Sequence, residues 1–296
     1  MGIFRDSVST RKLLLFACAA NGAMAGLPTL TDVLGEGFSG KFLPVPLVRQ
    51  SRNFTCGAAA LQGMLGYFGE DFREVQLEKF LGTHPNHGTS VASIANFLEA
   101  MANPDLQKAF RRTLGKEELS ERPPTAREAA KPFVHYRFRM SGRRELFELQ
   151  GPAAPDCTPV GAPVGTSADL AASVELGGDG GWDDVKQSLD RGNPVLVVMQ
   201  AWAQKPSDYG VRWDSGHYTV VVGYDEKRVY LMDPSTTGNY TSLRHEEFQA
   251  RWYDYHGELS HLTGERCPGG QSFYRFNLEL SADRPPYDSK LIIPLE

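Results

Sequence analysis

Residues 216–234 read Gly-His-Tyr-Thr-Val-Val-Val-Gly-Tyr-Asp-Glu-Lys-Arg-Val-Tyr-Leu-Met-Asp-Pro: an apolar run, a charged turn and a second apolar run. This pattern predicts an antiparallel hairpin with GHYTVVVGY and RVYLMD as strands and Asp225-Glu226-Lys227 as the turn. Residues equidistant from such a turn lie opposite each other, so His217 should face a position between 233 and 236. Asp233 stands there, at a strand end fixed by Pro234. A carboxylate so placed can accept the imidazole N–H, set its tautomer and steady the imidazolium.

Outward from the hairpin, PVLVVMQAW reads as a buried strand, WDDVKQSLDRG before it as a short helix with a glycine stop, and QSFYRFNLEL as a late strand. In the N-terminal half, FLPVPLVRQ is apolar with two prolines and suits an extended segment or edge strand. A polar turn, SRNFT, then leads into Cys56. Ala59, Leu61, Met64, Leu65 and Phe68 fall at helical spacing, with Thr55 as the natural N-cap and Gly69 as the stop. Two more helices are predicted, over 72–81 ended by Gly82 and over 90–101 with Thr89 as cap. FVHYRFRM alternates like a strand, and 151–166 is a Pro/Gly/Ala-rich loop. Helices come early and antiparallel strands late, which predicts an α+β fold: an N-terminal helical lobe packed on a C-terminal antiparallel sheet. The domain is expected over 40–280 with an insertion at about 105–180, followed by a tail over 281–296.

The 296 residues, 41% hydrophobic and 23% charged, have the balance of an ordinary globular chain. A formal charge of -5 and the absence of any Lys/Arg block argue against a nucleic-acid partner. At the start, Arg5, Arg11 and Lys12 precede an apolar run from Leu13 to Ala20, followed by Ala23-Met24-Ala25. That is the order of a signal peptide over 1–25, cleaved before Gly26. The run is far short of the roughly 20 residues that cross a bilayer. The mature protein is therefore expected to be exported, periplasmic or secreted, with no transmembrane segment. Removal of 1–25 leaves Cys56, Cys157 and Cys267, an odd set in a compartment that permits disulfides. The simplest allocation pairs Cys157 with Cys267 and leaves Cys56 free; the alternative leaves both unpaired.

A thiol is a useful nucleophile as its thiolate, which a helix N-terminus beside an imidazolium favours. Cys56 sits at the predicted first turn of a helix, and Gly57 with the small alanines after it is read as leaving room for substrate. His217 is the best base of the seven histidines, because Gly216 precedes it and an apolar strand follows. An oxyanion needs preorganised donors: the Cys56 backbone N–H is one, and the side-chain amide of Gln50 is the candidate for the other. His84 and His87 lie in a Pro/Asn/Gly loop without a carboxylate partner and read as solvated rather than metal-binding. Trp202, Tyr209 and Trp213 fit either a substrate cleft or packing. Gly180-Gly181 falls in a flexible stretch. No cofactor or metal is implied.

Taken together, 50–61 (QSRNFTCGAAAL), Tyr67-Phe68-Gly69, Gly88-Thr89-Ser90, GNPVLV at 192–197, GHYTVVVGY at 216–224 and Asp233-Pro234 resemble the bacterial peptidase C39-like family. The resemblance spans about half the chain. It implies a papain-like fold and a Cys-His-Asp triad of Cys56, His217 and Asp233 with Gln50 in the oxyanion hole, acting on peptide or protein substrates. The best-known members cut leader peptides after a Gly-Gly pair and are fused to membrane-spanning ATP-driven exporters. Neither membrane spans nor a G-x-x-x-x-G-K-[ST] loop occurs here, so the expectation is a stand-alone exported cysteine peptidase. An amidase, an acyl transferase with the same triad, or a catalytically silent peptide-binding module are the alternatives.

Overall fold

The computed structural model describes residues 38–85, 88–110, 134–146, 177–178, 180–201, 209, 216–236, 240–256, 267 and 271–283. The chain divides into Met1–Glu36 and Gly37–Glu296, and all described residues belong to the second unit. The signal segment, His87, Cys157, Trp202, Trp213 and the tail beyond 283 lie outside the described residues.

In chain order the elements are β1 (Lys41–Phe42), α1 (Cys56–Tyr67), α2 (Glu74–Leu81), α3 (Val91–Ala102), β2 (Tyr136–Leu146), α4 (Trp182–Asp190) and β3 (Val195–Gln200), then β4 (Gly216–Tyr224), β5 (Arg228–Met232), β6 (Thr241–Arg244), α5 (His245–Arg251), β7 (Tyr253–His256) and β8 (Gln271–Ala282). The strands form one antiparallel sheet in the order β2-β8-β3-β4-β5-β6, with β1 beside β4 and β7 beside β8. This is the α+β arrangement expected: early helices packed on a late antiparallel sheet.

Every residue of β3 is buried, as is every residue of β4 between its first and last. Successive side chains point to opposite faces, so both faces of these strands are covered. That is why VLVVM and TVVV are continuous apolar runs rather than alternating ones. Helix α1 packs on β3 and β4, α4 on β3, β4 and β8, and α5 on β5 and β6. Leu61, Met64 and Leu65 of α1 are fully buried, each worth about 1.5–3 kcal/mol of transfer free energy.

Several boundaries differ from the sequence reading. FLPVPLVRQ contributes only Phe42, the second residue of β1, because Pro44 and Pro46 cannot donate to a ladder. Helix α3 is capped by Ser90, whose hydroxyl accepts from Ser93 N at 3.0 Å, and not by Thr89. Thr55 occupies the N-cap position of α1 without a side-chain cap; its hydroxyl turns back to donate to Arg52 O at 3.0 Å. Strand β2 lies inside the stretch expected to be an insertion, yet it pairs with β8 from Tyr136 to Leu146 as the outer strand of the main sheet. The β6–α5–β7 segment was not anticipated: its strands are four residues long and its helix seven, too short for periodicity to register.

Candidate active site

Cys56 opens α1, where the helix leaves its backbone N–H without an intrahelical acceptor. The thiol is buried and not in a disulfide. Cys267 is disulfide-bonded, to a partner outside the described residues.

The chain before Cys56 is fixed from two sides. Gln50 N donates to Pro234 O at 2.9 Å, tying this segment to the end of β5. Ser51 N donates to both carboxylate oxygens of Glu74 at 2.9 and 3.0 Å, and Arg52 pairs with Glu78 at 2.7 Å while lying over the Phe54 ring. The Gln50 amide nitrogen donates to Arg52 O at 2.7 Å, which occupies one of its two hydrogens and leaves the second for another acceptor.

Gly57 and the alanines do not provide the substrate space that their small size implied. Ala58, Ala59 and Ala60 are fully buried, and a Cβ on Gly57 would lie 2.7 Å from Thr89 Cβ. The small residues of α1 serve close packing of the helix against the sheet and the segment before α3.

His217 lies at the start of β4, and its Nε2 meets Asp233 Oδ1 at 2.8 Å, both groups buried. The β4–β5 register, with Val220 opposite Met232, places His217 opposite Ser235 when continued past β5, so Asp233 is its diagonal neighbour on the same face. An ionised carboxylate only accepts, so the proton of this bond belongs to Nε2. Cys56 lies close enough to the ring to favour its charged form, and Nδ1 is the nitrogen that Asp233 does not engage. Burial opposes protonation of His217, but the hydrogen bond to Asp233, the nearness of Cys56 and the negative charge on both outweigh it, and its pKa is pushed up to about 9. Burial likewise favours the neutral form of Asp233, and it is overcome by hydrogen bonds from His217 and Ser235, which hold the carboxyl below its usual range.

The structure therefore brings Cys56, His217 and Asp233 together, with His217 bonded to Asp233, Cys56 close enough to act on the ring, and the Gln50 segment tied to the residue after Asp233. Three neighbours were missed in the sequence. Ser235 donates to Asp233 Oδ1 through its amide at 2.8 Å and its hydroxyl at 2.7 Å, which the Asp-Pro-Ser turn pattern could have signalled. Asp254 lies against Gly216, and buried Arg251 donates to Gln200 O at 2.9 Å and stacks on Tyr209. Neither had a local signal, since both depend on β7 and α5 reaching the end of β3. His84 closes a tight bridge with Gly88. Gly180 is pressed on the backbone of Gly142 and Arg275, and Gly181 is the N-cap of α4, so this Gly-Gly pair is built into the fold.

No curated protein matches the chain in sequence. Among solved structures, a Bacillus anthracis protein named as a C39-like peptidase overlaps at 13% identity and TM-score 0.37, over 80% of this chain and 97% of that one. The peptidase domain of Streptococcus ComA, a bifunctional ABC transporter of a quorum-sensing pathway, overlaps at 14% identity and TM-score 0.35, over 81% and 98%. A double-glycine motif protease from an AMS/PCAT transporter, in complex with its leader peptide, gives 13%, TM-score 0.32, and 81% and 95%. The sequence profile of the Peptidase_C39 like family matches residues 166–260, which hold His217 and Asp233. The family resemblance carried by the motifs is thus met by the family profile itself, and over 166–260 this chain is similar to the Peptidase_C39 like family.

Proposed function

We propose that this protein is a cysteine peptidase in which Cys56 is the nucleophile, His217 the base and acid, and Asp233 the group that orients the histidine. The observation that carries the reading is the series Cys56, His217, Asp233, with Nε2 on the carboxylate at 2.8 Å and the ring's other nitrogen left for the thiol. In this mechanism Cys56 Sγ attacks the substrate carbonyl carbon, and the oxyanion is held by the Cys56 N–H and the second Gln50 amide hydrogen. His217 passes its Nδ1 proton to the leaving amine as the C–N bond breaks, which leaves a thioester on Cys56. Water then gives a proton to His217 as its oxygen attacks the thioester, and the thiolate departs.

The disulfide at Cys267 supports the further reading that the protein is exported, since disulfides persist in oxidising compartments. N-terminal sequencing of the chain from cell envelope and medium tests it; a chain retained in the cytosol with its first residues intact would reject export.

The test of the chemistry is alkylation of Cys56 by iodoacetamide across pH 4–9, read by peptide mass spectrometry, in the wild type and His217→Ala, alongside cleavage of a mixed peptide library. Rapid reaction well below the reference thiol value of about 8.5, lost in His217→Ala, together with cleavage lost in Cys56→Ala, is the expected result. An ordinary thiol profile in both proteins, with no cleavage, rejects the peptidase reading.

A further inference from the structure

We infer that Ser235 is a positioning residue that orients Asp233 and, through it, His217; the inference rests on the peptidase reading above. Three donors converge on one oxygen, Asp233 Oδ1: His217 Nε2 at 2.8 Å, Ser235 N at 2.8 Å and Ser235 Oγ at 2.7 Å. Two of the three belong to Ser235.

The local chain explains why. Pro234 has a fixed φ and no N–H, so the first amide able to reach back to the carboxylate is that of Ser235. Thr236 N closes the turn on Asp233 O at 3.0 Å. The carboxylate is thus held by its own turn before the histidine meets it. With Oδ1 pinned, the direction of the Nε2 bond is fixed, and with it the direction in which Nδ1 faces Cys56. The same turn accepts Gln50 N at Pro234 O, so four consecutive residues set both the aspartate and the segment leading to the nucleophile.

The hydroxyl is separable from the fold. Ser235 is exposed whereas Asp233 is buried, so its loss opens no cavity in the core. The other charged groups around the pair sit on other elements and remain: Cys56 on α1 faces His217, Arg251 on α5 is close enough to feel the Asp233 charge, and Asp254 on β7 lies beside Gly216.

The experiment measures iodoacetamide alkylation of Cys56 from pH 4 to 9 in purified wild type, Ser235→Ala, Ser235→Gly and Ser235→Thr, each checked by circular dichroism melting. Ser235→Ala and Ser235→Gly are expected to react about tenfold more slowly at pH 6, with the acid limb moved up by about one pH unit, because an Asp233 carboxylate no longer fixed in direction holds the His217 imidazolium, and with it the Cys56 thiolate, less well. Ser235→Thr, which keeps a hydroxyl, restores rate and limb. Profiles of the hydroxyl-free variants that superimpose on wild type overturn the inference. So does a uniform loss of rate at every pH with threonine no better than alanine, the mark of a merely structural role. An ordinary thiol profile in the wild type itself, unchanged by His217→Ala, instead removes the peptidase reading and this inference with it.

Discussion

Asp254 lays its carboxylate against the Cα of Gly216, the residue before His217, so that a Cβ on Gly216 would fall 2.7 Å from Asp254 Cγ. The glycine is therefore favoured by a side chain distant in sequence, and a Cβ there must push the buried Asp254 carboxylate aside. Gly216→Ala is expected to cost about 1–3 kcal/mol of stability and to slow Cys56 alkylation by roughly tenfold or more through misplacement of His217. Asp254→Gly in the same chain should recover much of both. Melting curves and alkylation rates of the single and double variants check this; a Gly216→Ala protein as reactive as wild type would contradict it.

The charge on His217 gives a pH dependence whose sign is fixed. Its pKa in the fold is raised from 6.5 to about 9, so the folded state holds the proton more tightly than the unfolded chain. The stabilisation is complete below about pH 6.5 and is lost as pH rises through about 9. Asp233, held below its usual 3.8, acts in the opposite direction, and its contribution is lost as pH falls. The melting temperature of the wild type should therefore drop more between pH 6.5 and 9 than that of His217→Gln, as followed by calorimetry.

Arg52 and Glu78 hold the segment that leads into Cys56. The Arg52 side chain is half exposed and that of Glu78 only 10% exposed, so the pair itself contributes little, about 0.5–1 kcal/mol. The larger effect of Arg52→Ala is expected on order rather than stability. Amide hydrogen exchange over 51–55 should quicken while that of β3 and β4 stays unchanged. Equal exchange over 51–55 in both proteins would show that the Ser51–Glu74 bonds suffice.

Cys56 and Cys267 should separate cleanly by redox chemistry. In native, non-reducing buffer iodoacetamide should label Cys56 and spare Cys267, which reacts only after reduction. Cys267→Ser should lower stability by about 2–4 kcal/mol. It also disturbs the segment beside Tyr255, whose hydroxyl donates to Cys267 O at 2.6 Å. Differential labelling and thermal melts read both effects.

Much of the site was legible because its signals are local or periodic. The turn at Asp225–Lys227 set the β4–β5 pairing, and the pairing rule alone brought Asp233 within reach of His217. Cys56 was legible as the first residue of α1 because Ala59, Leu61, Met64 and Leu65 repeat at the helical period. The rest was not legible for equally physical reasons. Whether a small residue faces substrate or a neighbouring side chain depends on what packs over it, so the role of Gly57 changed once Thr89 was seen above it.

The sequence alone determined the α+β order of elements, the identity of Cys56, His217 and Asp233 as candidates, and the covalent spacing that lets a hairpin join two of them. Only the tertiary structure decided how they meet. It placed Nε2 rather than Nδ1 on Asp233, three donors on one carboxylate oxygen, a carboxylate against Gly216, and β2 within the main sheet. Those relationships join residues far apart in sequence, or depend on rotamers fixed by packing. Hydrophobic period and turn chemistry report the local backbone; they carry no information about which distant side chain will fill the space beside it.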